Sequence, residues 1–155
     1  MAEAVMSQGA LPDDAELAAP SLLVRVAGRV VLVAGAFTVL LAVQTLSNIR
    51  MVGLWSIVAP LQLLFGVGMA VSGWKLSRAR GWAAVASLVA SALCALCTTA
   101  WSVVALINGY VSLLSFMVVV GGVAGAVMAG LTIAECRRAD AARARLAEQG
   151  LDMGL

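Results

Sequence analysis

The sequence predicts an all-α membrane protein: a four-transmembrane-helix up-down bundle with short loops and both termini on the cytoplasmic side. Three observations lead there. Hydrophobic residues make up 63% of the 155 positions and charged residues only 12%, against about 45–50% apolar and about 25% charged in soluble domains. The apolar residues fall in four long runs with short breaks. Between Val30 and Ala134 the charged residues are Arg50, Lys75, Arg78 and Arg80 alone. A soluble fold could not bury so much apolar surface under so few charges; lipid as solvent removes the difficulty.

The elements follow in order. Residues 1–20 are a polar tail, expected to be mobile, carrying Glu3, Asp13, Asp14 and Glu16, with a short helix expected near Pro12. Pro20 and Ser21 make a helix start, and the first span covers about 22–47. Arg25 and Arg29 share one face of its first turns, their stems on apolar surface and their guanidinium groups at the headgroups. The uncharged stretch from Val30 to Ile49 can cross a hydrocarbon core of about 30 Å. An acidic tail and the lack of a small-x-small cleavage site argue against a signal peptide. Ser47 to Arg50 leave room only for a tight hairpin into the second span, 51–74. Pro60 lies inside that span and predicts a kink. Lys75 to Gly81 form a basic loop. The third span, 82–107, ends at the turn dipeptide Asn108-Gly109, and the fourth covers 111–134. Residues 21–134 are thus the transmembrane domain. Residues 135–155, rich in Ala and Arg, extend the last helix into the cytoplasm as far as Gly150.

Orientation comes from basic residues. Arg25, Arg29, Lys75, Arg78, Arg80, Arg137, Arg138, Arg143 and Arg145 fall on one side and Arg50 on the other, which accounts for all 10. The positive-inside rule makes the rich side cytoplasmic. Arg25, Arg29, Lys75, Arg78, Arg80, Arg137 and Arg138 are the expected topology and headgroup anchors. Trp74 and Trp82 belong at the inner interface, Trp55 and Tyr110 near the outer one. The preference for Arg over Lys points to a GC-rich bacterial genome, hence to a bacterial inner membrane. Offsetting the chain by 60 aligns Asn48 with Asn108, Leu54 with Leu114 and Arg78 with Arg138, a faint hint of a duplicated hairpin.

Small residues mark the expected packing faces. On the fourth helix Gly121, Gly125 and Ala129 share one face, and Gly122, Ala126 and Gly130 the next; the second helix offers Gly66, Ala70 and Gly73. Such spacing lets backbones approach closely in lipid, where packing drives association. It serves either one bundle or self-association, and packing within one bundle is favoured.

Chemistry-bearing motifs are few. The chain has no histidine, which removes His-ligated metals and Ser/His or Cys/His catalysis. No cofactor or metal is expected. Cys94 and Cys97 have the spacing of a thiol redox pair, but no charge lies nearby to favour a thiolate, and core packing is the stronger reading. Buried polar residues are expected at Thr38, Gln44, Gln62, Ser87, Ser91, Thr98, Thr99, Ser102 and Ser115, bonding across helices or to their own backbone. No ionisable residue lies near mid-bilayer, so proton-coupled antiport lacks its usual carrier. Small multidrug exporters place a carboxylate in the first helix; this chain has Thr38 and Gln44 there. Gly53, Leu54 and Trp55 resemble the GLW motif of claudin-like tetraspans, but that resemblance stops at three residues, without the long external loop or its two cysteines.

These residues point to a non-enzymatic structural, assembly or accessory subunit. It would act through helix packing against copies of itself or the helices of a larger membrane complex. A small oligomeric channel or transporter for an uncharged solute is the alternative, and a thiol oxidoreductase a weaker third. The expected surroundings are the lipid bilayer and other transmembrane helices. Nucleic acid is not expected, because no basic stripe with interleaved aromatics exists.

Overall fold

A computed structural model of the chain describes residues 16–47, 55–107, 109 and 112–148, with backbone alone at 55 and 56. Four helices account for nearly all of these residues: α1 (Leu22–Ser47), α2 (Trp55–Leu76), α3 (Gly81–Ile107) and α4 (Leu113–Glu148). Each is long and apolar enough to cross a membrane. Several expectations lie outside the described residues: the helix near Pro12, the hairpin at Asn48 to Arg50, Gly53 and Leu54, the ring of Trp55, Asn108, Tyr110, and the stop at Gly150.

Local chemistry sets the ends. The Ser21 hydroxyl accepts the Val24 N–H at 3.2 Å and opens α1 as an N-cap does. Ser112 does the same for α4, accepting the Ser115 N–H at 3.3 Å. Gly109 turns the chain with φ at +77°, where a side chain would be strained. α2 runs unbroken through Pro60 and ends at Leu76, two residues beyond the expected 74. It closes in a tight turn in which Ala79 donates to the Leu76 carbonyl at 2.7 Å. Ala79 takes the left-handed conformation, φ 54°, although it is no glycine, and it is buried. α3 then begins at Gly81, one residue early.

α4 carries the helical extension read from the sequence. It continues without a break past Ala134 to Glu148, about 54 Å at 1.5 Å per residue. Its buried residues step by three and four through Ser115, Val118, Gly122, Gly125, Ala129, Thr132, Cys136, Ala139, Ala142 and Leu146. The same buried stripe therefore serves the span and the extension.

α1 packs on α2 and α4, and α3 on α2 and α4, so the helices form a closed ring with little contact between α1 and α3. The large apolar side chains point outward: Leu22, Leu40, Ile57, Leu64, Leu96, Phe116 and Leu131 are all exposed. The buried positions are dominated by Gly, Ala, Ser and Thr. This inside-out distribution suits a lipid solvent, in which large apolar groups gain nothing by hiding.

Candidate functional site

Among the described residues three arrangements stand out: a glycine seam, a polar file in the interior, and a clamp at the end where α2 meets α3.

The seam joins α1 to α2. A Cβ placed on Gly28 would lie 2.7 Å from the Gly73 carbonyl oxygen, and one on Gly35 would lie 2.7 Å from that of Gly66. At Gly73 it would meet the Leu32 amide nitrogen at 2.7 Å, and at Gly66 the Val39 amide nitrogen at 2.9 Å. The two backbones are in direct contact, in reversed sequence order. Gly28, Gly35 and Ala42 on one helix and Ala59, Gly66 and Gly73 on the other recur every seven residues, and all six are buried. A seven-residue repeat keeps one face on its partner along the whole length. Gly66, Gly73 and Ala70 were legible as packing residues; their partners Gly28 and Gly35 were missed, though the same seven-residue spacing marks them.

On α4, Gly122 faces Ala95 and the Ser91 carbonyl, Gly125 faces the Ser91 hydroxyl and Val31, and Gly121 faces Ala34. Ala129 is fully buried. Gly130 is a correction: it is exposed, and a Cβ there would meet nothing closer than Leu88 Cδ1 at 3.9 Å. The face steps by three and four through 122, 125 and 129 because helix packing follows the helical repeat, not a strict spacing of four. Offset by 60, the seam residues Gly28, Gly35, Gly66 and Gly73 become Leu88, Ala95, Ala126 and Ile133. The α3–α4 contact is therefore not a copy of the α1–α2 seam.

The polar file runs along α3. Ser87, Ser91, Cys94 and Thr98, spaced by four, three and four, are all buried. Thr38 donates to the Ala34 carbonyl at 2.9 Å and lies 3.5 Å from the Cys94 sulfur. Ser72 and Thr132 bond their own helices, to the carbonyls of Met69 and Ala129. The hydroxyls of Ser87, Ser91 and Thr98 and both amide atoms of Gln62 are buried without a partner among the described residues. At these four residues the expected bonding across helices or to backbone is not met. Gln44 and Thr99, expected inside, are exposed, and Ser102 is half-buried and bonds the Thr98 carbonyl. Cys94 is buried and Cys97 exposed, both as free thiols, so the two sulfurs sit in different environments.

The clamp corrects the expectation of a mobile tail at its end nearest α1, where Ala18 is fully buried. Arg143 Nη1 donates to the Ala79 carbonyl and to Asp140 Oδ1, and Nη2 donates to the carbonyls of Ala18 and Arg78, all at 2.9 Å. Asp140 Oδ2 accepts the Gly81 N–H at 2.7 Å, capping α3. One guanidinium thus ties α4 to the α2–α3 turn and to the turn that precedes α1. The planar fork of arginine suits several carbonyls at once, as a lysine could not. Ala18, Ala142 and Leu146 form a small apolar cluster beside it, so Leu146 is used internally. The sequence predicts only a helical extension for this segment, with no contact to the rest of the chain. The missed signal was that Cys136, Ala139, Ala142 and Leu146 continue the buried period beyond the last apolar run.

Of the expected anchors, Arg25, Arg29, Arg78, Arg137 and Arg138 are exposed, and Lys75 and Arg80 half-buried. Lys75 Nζ lies 5.0 Å and the Arg78 guanidinium 4.5 Å from the centroid of Trp74. Trp74 and Trp82, both exposed, flank this turn. No family model matches the chain, and neither does any curated protein or solved structure.

Proposed function

We propose that the chain is a four-span integral membrane protein of up-down topology with both termini cytoplasmic. In this reading it is a structural, assembly or accessory subunit rather than an enzyme. The observation that carries this reading is the Arg143 clamp. A charged side chain with four hydrogen-bond acceptors is spent on joining a turn, a helix and the start of the chain. Such a group makes a firm cytoplasmic end, not a reaction centre. The cationic anchors share that end, as the positive-inside rule requires of a cytoplasmic face. Gly28, Gly35, Gly66, Gly73, Gly122 and Gly125 are consumed within the bundle, so contact with a partner falls to the outward faces and the α4 extension. Native mass spectrometry after gentle extraction tests the role. A mass containing other subunits is expected, and only integer multiples of the 15.8 kDa chain would contradict it.

A second reading has its own support. The unpartnered groups of Gln62, Ser87, Ser91 and Thr98 suit passage of a small uncharged solute. Flux by the purified protein in liposomes separates it from the first.

A further inference from the structure

Gln62 is only 2% exposed, and neither its amide nitrogen nor its amide oxygen has a partner among the described residues. Leaving an amide dry and unpaired costs about 2–7 kcal/mol, and within a bilayer no bulk water is at hand to offset it.

The contacts place its level. Gly66 lies beside Val39, so Gln62, one turn earlier on α2, comes one turn beyond Thr38 along α1. Thr38 meets Cys94, and Thr98 follows Cys94 by one turn. Gln62 and Thr98 therefore share a level near the middle of α3, and both are buried. The Thr98 hydroxyl likewise lacks a partner at hydrogen-bond geometry, its nearby contact being the weakly accepting sulfur of Cys94.

We infer that Gln62 and Thr98 form a buried site for internal water in the middle of the bundle. The chemistry narrows the occupant. The amide offers donors and an acceptor, and the hydroxyl adds one of each, so the occupant must both donate and accept. Among the described residues the buried polar groups are Thr, Gln and Ser, and none of these compensates a charge. The site lies inside a ring of four packed helices, which limits the occupant to a small molecule. Water, which needs two to four polar partners, fits all three conditions. Ser91 and Ser87, also buried and unpartnered, continue the same file toward the clamp. Hydration does not depend on solute passage, since a closed bundle binds the same water; flux and hydration are therefore separate measurements.

X-ray radiolytic labelling of the full chain in nanodiscs tests the inference, with a radical scavenger in the bulk so that only bound water supplies hydroxyl radicals. Cys94, 1% exposed, is the reporter. Oxidation of Cys94 is expected in the native protein, and its loss is expected in Gln62→Leu. Thr98→Val, nearly isosteric, is the second variant should the first fail to fold, and the same loss is expected there. Absence of Cys94 oxidation in the native protein, or equal oxidation in native protein and folded variant, would overturn it.

Discussion

Gly35 and Gly68 differ by what a methyl group would meet. At Gly35 it would press on the backbone of α2, 2.7 Å from the Gly66 oxygen and from the Ala70 nitrogen, whereas at Gly68 nothing lies within 4 Å. Gly35→Ala should lower stability by about 1–3 kcal/mol, the usual range for overpacking. Gly68→Ala should stay within about 0.5 kcal/mol, as surface changes do. Unfolding in a denaturing detergent series checks both, and equal effects would refute direct backbone contact. The cysteines make a parallel test of burial. Cys94 and Cys136 are buried and Cys97 is exposed, so a membrane-permeant maleimide should label Cys97 ahead of the other two in the folded chain and all three after unfolding. Two rapid labels would contradict the placement of Cys94 or Cys136. Which glycines are structural was only half legible in the sequence. Gly66 and Gly73 were recognised from one helix, but a seam is a property of two helices. Their partners appear only when the seven-residue spacing is sought on both.

α4 is the element in which span and extension share one packing stripe, and Arg143 is where that stripe meets the rest of the chain. Arg143→Ala should leave the carbonyls of Ala18, Arg78 and Ala79 without their donor. The expected loss is about 1–3 kcal/mol, typical of hydrogen bonds to a charged group. Hydrogen exchange should rise at residues 77–81 with little change in the middle of the helices. Arg143→Lys should not restore protection, because one ammonium cannot reproduce the fork. Full rescue by lysine would reduce the clamp to simple charge. Helix positions were legible almost throughout: α1 lies where the uncharged run put it, and Ser21 opens it as expected. The limits of α2 and α3 moved by one or two residues because the turn between them is set by Arg143 and Asp140, about sixty residues later in the sequence. Local pattern cannot carry that information.

At the scale of the molecule, composition alone specified a helical membrane protein, and the four apolar helices agree with it. Composition did not specify the polar interior. Serine and threonine are ordinary in such helices, and only three-dimensional placement distinguishes Thr132, bonded to its own helix, from Ser87, which has no partner among the described residues. The proposed topology joins these scales, since it puts the anchors, the clamp and both ends of the chain in the cytoplasm and the Gly109 turn outside. Paired reporter fusions measure it directly, with a fluorescent protein that matures only in the cytoplasm and a phosphatase active only outside. Fluorescence is expected from fusions after Gly81 and after Leu155, and phosphatase activity from one after Gly109. Phosphatase activity after Gly81 or after Leu155 would contradict the topology, and with it the assignment of the clamp to the cytoplasmic face.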